Sequence, residues 1–239
     1  MRPLLAWLWL TLGASPLNEL KVLDRRRDDP KVAAQMERLL DAALKENPDS
    51  YELWVEDCLL QVWMGDSATH REVKKQLARQ ARRSADRALA LRAEGSEAHY
   101  CAAVSVGQYA LAVGILSALK EGLLGQFNQH IDFAVTHDPD LRWGSALLVK
   151  ARYYSEIPWP MRDLKASEAL YAEVLAHHPE NLRLYLFQAE TLLHQGRPQA
   201  ALDALDRALS APVDYDPPEG RRVQALARIL KQRIERKQK

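Results

Sequence analysis

Apolar positions between Leu182 and Val213 fall in two runs on either side of Gly196. Larger side chains recur at Tyr185, Leu192 and Leu205, and small ones at Ala189, Ala201 and Ala208. Steps of three and four residues within each run put these positions on one face of a helix. Two antiparallel helices approach closely only where small side chains occupy the crossing and bulky ones fill the gaps beside it. The segment therefore predicts a pair of helices joined by a tight turn.

The same signature recurs upstream with longer connections. Asp29 and Pro30 match an N-cap and first helical position, and Val32, Met36, Leu39, Leu40 and Ala43 form an apolar stripe that ends before Asn47 and Pro48. Ser50 caps a helix with Trp54, Cys58, Leu59 and Val62 on one face, up to Gly65. A third helix, His70 to Leu91, carries Ala81, Ala85 and Ala88 in the spacing seen again at Ala201 and Ala208. Phe127 to His137, Leu141 to Ile157 and Lys165 to His178 continue the series, with Ala151 and Tyr154 at crossing positions. The pairs end near Pro48, Glu94, Pro139, Pro179 and Pro212, and their spacing falls from about 46 to about 33 residues. This pattern predicts an all-α solenoid over residues 29–239, of about five antiparallel helix pairs, with a capping helix at the C-terminus.

Three segments depart from the pattern. Cys101 to Leu119 carries no charge; its length approaches that of a membrane span, but Gln108 and Tyr109 interrupt it, and it is expected to be a buried central helix. Rich in Gly and Ala, it either packs closely against its neighbours or lines an apolar cavity, with Val106, Tyr109 and Val113 as candidate lining residues. Ile157 to Asp163 (IPWPMRD) holds Trp159 between two prolines that cannot continue a helix. Trp159 there is either a rigid anchor for a partner or a plug folded back into the gap under the long turn. At the N-terminus, Met1 and Arg2, the apolar run Pro3 to Leu12 and the small residues Gly13 to Ser15 read as a signal peptide over 1–14, followed by an exposed tether over 15–28. Lys21 and Arg25 to Arg27 weigh against export. No cysteine follows the apolar run, so a lipoprotein anchor is excluded. The expected location is periplasmic or secreted, with the cytoplasm as the alternative.

Charge narrows the function classes. Lys and Arg total 33 against 32 Asp and Glu, so the net charge of +1 supplies no bulk attraction for nucleic acid or anionic membrane. The helix Glu219 to Gln238 is locally basic, with Val223, Leu226, Leu230 and Ile234 as its apolar stripe. A capping role is expected for it, with membrane contact disfavoured. No aromatic residue interleaves its charges, which argues against single-stranded nucleic acid. Cys58 and Cys101 lie in apolar helical runs without metal-ligand spacing and are expected to be buried free thiols, with a disulfide as the alternative.

Sequence motifs for dinucleotide, phosphate or zinc-protease chemistry and the nucleophile elbow are missing, and neither an enzyme nor a cofactor is expected. His137, His177 and His178 close two successive helices; helix C-terminal histidines interact with the last carbonyls, so no metal is expected there. Tyr185 and Glu190 lie on the repeat helix where a concave face would meet a peptide.

The layout from Leu182 to Val213 is that of a tetratricopeptide (TPR) repeat. From Phe127 to Leu209, the Pro-Asp turn, the Ala-Arg-Tyr-Tyr helix end, the Pro-Trp-Pro loop and the repeat together resemble the T-component proteins of tripartite ATP-independent periplasmic (TRAP) transporters. The segment is also similar to the regulator-of-microtubule-dynamics proteins, which place an uncharged helix before it. The first resemblance implies a periplasmic, often oligomeric TPR-like fold that pairs with solute-binding subunits and passes a small apolar ligand through a pore. Met161, Arg162 and Asp163 stand where that family has Gly-Gly-Asp, and no family ligand residue can be carried over. Two function classes result: a scaffold that binds a protein or peptide on its concave face, or an accessory that handles a small apolar ligand. A cavity of several hundred cubic ångströms beside the uncharged helix separates the second from the first.

Overall fold

The computed structural model describes residues 15–238, all helices, turns and loops with no strand among them. The proposed signal peptide over 1–14 lies outside the described residues. Twelve helices follow in order: α1 Pro16–Asp24, α2 Pro30–Glu46, α3 Tyr51–Ser67, α4 Arg71–Leu91, α5 Ser96–Val113, α6 Ile115–Lys120, α7 Leu123–His137, α8 Leu141–Glu156, α9 Leu164–His177, α10 Leu182–His194, α11 Pro198–Ser210 and α12 Pro217–Gln238. Successive long helices pack as antiparallel neighbours: α3 on α4, α4 on α5, α5 on α7, α8 on α9, α10 on α11 and α11 on α12. This is the helical-hairpin solenoid that the apolar pattern requires.

Small residues set the crossings. Ala81, Ala85 and Ala88 of α4 and Ala201 and Ala208 of α11 are all fully buried, while Ala200 is only half-buried. Helix starts follow the expected chemistry. The Asp29 carboxylate accepts from the Lys31 N–H at 2.9 Å, and the Ser50 hydroxyl accepts from the Leu53 N–H at 3.3 Å.

Several expectations are corrected. Residues 15–28 are not an exposed tether: Pro16 starts α1, and Leu20 is buried against α2 and α3 with Met36, Leu40 and Leu53. Cys58 and Cys101 are not free thiols, because the packing of α3 beside α5 brings their Cα atoms to 6.3 Å and they form a disulfide. The uncharged run from Cys101 to Leu119 is two helices, since Gly114 takes φ +94° and ends α5 there. The buried stripe of α12 is Val223, Ala227 and Ile234, and Leu226 faces outward.

The first turn of α8 is unexpected. Arg142, Trp143 and Gly144 are all left-handed, at φ +48°, +58° and +71°. Left-handed backbone costs about 1–2 kcal/mol per residue that carries a Cβ. Three bonds hold the turn in place. Asn181 donates to the Trp143 carbonyl at 2.8 Å, Ser145 to the Arg142 carbonyl at 2.6 Å, and His178 bonds Asp140 at 2.8 Å. Space at position 144 is also tight, since a Cβ there would meet His178 at 3.1 Å and Val174 at 3.3 Å and these side chains would have to give by a few tenths of an ångström.

Candidate functional site

A cavity of about 330 Å³ lies between α3, α5, α7, α8 and α10. Its apolar part is built by Val62 of α3, Val106, Gly107 and Leu111 of α5, Phe127 of α7, and Val149 and Tyr153 of α8. Gly107 helps make the room: a Cβ there would stand 3.6 Å from the Phe127 ring, in ordinary contact. Phe127 and Tyr153 stack with centroids 4.9 Å apart, and the Tyr153 hydroxyl accepts from Asn128 at 3.1 Å, so its polar end is turned into a bond.

The other part of the wall is charged and aromatic. Arg27, Asp66, Arg152, Arg183, Asp216 and Glu219 line it with Trp63, Trp143, Phe187 and Tyr215. Arg152 bonds Glu156 at 2.6 Å and Glu190 at 3.3 Å, with its guanidinium 4.3 Å from the Phe187 ring centre. Arg183 pairs with Glu219 and, at 3.2 Å, with Asp66. Burial pushes the Asp66 carboxyl up, but Arg183 and Arg222 outweigh it and hold it below the usual carboxylate range. Burial raises Glu190, with Arg152 opposing. A second cavity of about 620 Å³, lined mostly by charged residues, adjoins the first and shares Arg142, Trp143, Tyr215 and Asp216 with it. The left-handed turn thus sets Arg142 and Trp143 on the wall common to both, with Trp143 edge-on to Tyr215 at 5.4 Å.

The expected site residues scatter. Val106 lines the cavity. Tyr109 and Val113 pack, half-buried, in the cluster around Phe127 and Ile131, and the Tyr109 hydroxyl accepts from Arg79 at 3.0 Å. Tyr185, expected at an interaction face, is 7% exposed and belongs to the core, where its hydroxyl donates to the Pro179 carbonyl at 2.9 Å. Glu190 is tied to Arg152 rather than standing free on a concave face. Trp159 is 85% exposed, so it is no plug. The buried residue of this loop is Ile157, at 2% exposure. The loop closes on itself through Met161 N–H to the Pro158 carbonyl at 3.0 Å and Asp163 N–H to the Tyr154 carbonyl at 3.1 Å.

A family profile described as "Regulator of microtubule dynamics protein 1-3" matches residues 19–155, from α1 to the end of α8 and more than half of the 239 residues. The chain belongs to this family. A tetratricopeptide repeat profile matches residues 161–229, covering α9 to α11 and the first part of α12. A search of curated proteins finds no match. The two profiles meet at the Pro-Trp-Pro loop, and the cavity draws its walls from both segments.

Among the described residues no helix is long and apolar enough to cross a membrane, and no group of three or more His, Cys, Asp or Glu side chains gathers in a way that could hold a metal ion. His137 stacks on Phe133 at 3.9 Å and bonds its carbonyl, while His178 bonds Asp140. Sequence reasoning missed Arg27, Asp66, Trp143, Arg183 and Tyr215, which are far apart along the chain and carry no local motif. A buried histidine pair also had no sequence signal: His99 and His130 meet Nδ1 to Nδ1 at 3.0 Å between α5 and α7. Over residues 161–229 the chain is a helical repeat of the tetratricopeptide type, a kind of domain that generally mediates protein–protein interactions.

Proposed function

We propose that this scaffold holds a small apolar ligand in the cavity beside α5. The observation that carries the reading is the cavity itself, about 330 Å³ with an apolar wall from Val106, Gly107, Phe127 and Val149 and a charged, aromatic end. Ligand pockets are concave and mostly apolar with a few polar groups, and this volume lies at the small end of their range. Gly107→Leu adds a side chain that starts 3.6 Å from the Phe127 ring, at the apolar part of the wall. Replacing a helical glycine favours the helix by about 1 kcal/mol, and the melting temperature separates a filled cavity from overpacking against Phe127. Binding of a neutral naphthylamine fluorescent probe is expected to fall steeply in Gly107→Leu while the melting temperature holds or rises. Equal probe affinity in both proteins would overturn the reading.

A second reading, a protein partner, is favoured by one observation: an indole 85% exposed on a loop stiffened by two prolines and its own hydrogen bonds. A rigid aromatic loses little entropy on docking, and tryptophan is enriched at the energetic centres of interfaces. Trp159→Ala should then weaken capture of the partner purified from the native host; unchanged capture rejects it. The finer form of the ligand reading, a T-component-like accessory to solute uptake, is carried only by the resemblance of Phe127 to Leu209.

For location, we infer an exported protein, periplasmic or secreted. The Cys58–Cys101 disulfide supports this, because such bonds persist mainly in oxidising compartments. Mass spectrometry of protein from the native host should give a mature N-terminus near Ser15, whereas an intact Met1 in a cytosolic fraction would end the idea.

A further inference from the structure

We propose that ion pairs between the two ends of the solenoid form a salt-sensitive clasp that controls access to the cavity. Among the described residues, the buried apolar clusters at the two ends of the solenoid are separate. The cluster of α1 to α3 ends at Met64, and the cluster of the last helices begins at Val135. Likewise α1 and α2 pack on α3, while α12 packs on α10 and α11. Charge pairs span the two ends.

Arg27, between α1 and α2, bonds Asp216 just before α12 at 2.7 Å and Asp24 at 3.1 Å. Its neighbour Asp28 accepts two bonds from Arg221 of α12, at 2.7 and 2.8 Å. Asp66, near the end of α3, pairs with Arg183 of α10 at 3.2 Å and Arg222 of α12 at 3.3 Å. Trp63 lies among them: its ring is 4.4 Å from the Arg27 guanidinium and 4.9 Å from that of Arg222, and its N–H donates to the Arg27 carbonyl at 3.1 Å. Arg27, Trp63, Asp66, Arg183 and Asp216 are also cavity wall, so parting the ends opens that wall.

Charge pairs give such a closure a property that apolar packing lacks. The screening length falls from about 10 Å at 0.1 M salt to about 3 Å at 1 M, so the exposed Asp28–Arg221 pair weakens first. Apolar contacts along α2 to α11 do not weaken with salt, and the helices themselves stay folded. The more buried Arg27–Asp216 and Asp66 pairs are screened less, so the ends part as units only at salt high enough to weaken these as well. The consequence for a ligand rests on the cavity being a binding site, but the clasp itself does not.

Both native cysteines are bonded to each other, so spin labels placed at Arg26→Cys and Asp214→Cys, two exposed positions flanking the clasp, report the gap in the full chain. Electron-electron distance measurements are expected to give one short distance at low salt and a longer, broader distribution at high salt. Asp28→Arg should lengthen the distance at low salt, and adding Arg221→Asp should restore it by swapping the pair. A distance indifferent to salt and to Asp28→Arg overturns the clasp, as does a swap that fails to restore it, because lost packing would then be the cause. In a second arm, exchange of the neutral naphthylamine probe is followed by stopped flow. It should quicken several-fold in Asp28→Arg and return in the swapped protein. A probe that never binds sinks the ligand reading and leaves the distance result to judge the clasp; a probe that binds and exchanges at one rate in all variants overturns the clasp's control of access.

Discussion

Trp159 and His130 show what single residues do in this fold and why only one of them was readable in advance. Two flanking prolines marked Trp159 as a special indole, but they do not decide whether it points in or out, and in this loop the buried residue is Ile157. With the indole 85% exposed, Trp159→Ala should change stability by no more than about 0.5 kcal/mol in denaturant melts. A loss of about 3–5 kcal/mol, the range for a buried aromatic, would contradict the exposed placement. His130 had no signal at all, because its partner His99 comes from another helix. The His99 Nε2–H donates to the Ala93 carbonyl at 2.9 Å, which leaves its Nδ1 to accept from the His130 Nδ1–H at 3.0 Å; this tautomer is assigned from the network. Burial first, then Arg82 and His99, push His130 from 6.5 down to about 4, with Asp86 opposing. Between these values the unfolded chain binds the proton and the folded chain does not. His130 therefore subtracts stability as pH falls from about 6.5 to 4, by up to about 3 kcal/mol, and adds no further loss below that. His130→Gln should flatten this part of the pH profile; equal slopes for both proteins would show that His130 does not titrate in that window.

At the scale of elements, period and punctuation carried most of the information. The small-residue positions of α4 and α11 and the caps at Asp29 and Ser50 lie where spacing placed them, because each is a local requirement of helix geometry. Ala201→Leu and Ala208→Leu should each cost about 1–3 kcal/mol by overpacking a filled crossing, and Ala200→Leu far less. Equal losses at Ala200 and Ala201 would refute that register. What spacing could not reveal is backbone handedness. The pattern of Leu141 to Ile157 reads as an unbroken helix, yet its first turn is left-handed, held by bonds from Asn181 and from Ser145. Such strain persists where surrounding structure over-determines it, and here it places Arg142 and Trp143 between two cavities. Among the described residues, the carboxylate within 4.0 Å of the Arg142 guanidinium is that of Glu97. Arg142→Gly should therefore raise stability by about 0.5–1 kcal/mol, the relief of left-handed backbone exceeding the entropy cost of glycine. A fall in the melting temperature would mean that the arginine contributes more than its turn costs.

For the whole molecule, the chain was legible as a solenoid but not as one whose ends meet. Arg27 and Asp216 are 189 residues apart, and Asp28 and Arg221 are 193 apart. No periodicity links such positions, and a basic run after an apolar N-terminus reads as a topology signal rather than as half of an ion pair. The cysteines were misread for the same reason. Each occupies a small apolar position in its own helix, and only the packing of α3 beside α5 brings them together across 43 residues. That bond fastens the two helices that supply Val62, Val106 and Gly107 to the cavity, so it holds the apolar wall while charge closes the other side. Closing a loop of this length restricts the unfolded chain, and replacing both cysteines with Ala should cost about 2–4 kcal/mol. Protein made in an oxidising compartment and unfolded without reductant should show no free thiol by alkylation and mass. With the bond gone, α3 and α5 keep their remaining contacts, so the helical signal should survive while probe binding weakens as the wall loosens. Two alkylated cysteines in the unreduced protein, with no stability difference from the double Ala variant, would return Cys58 and Cys101 to the role of small buried hydrophobes.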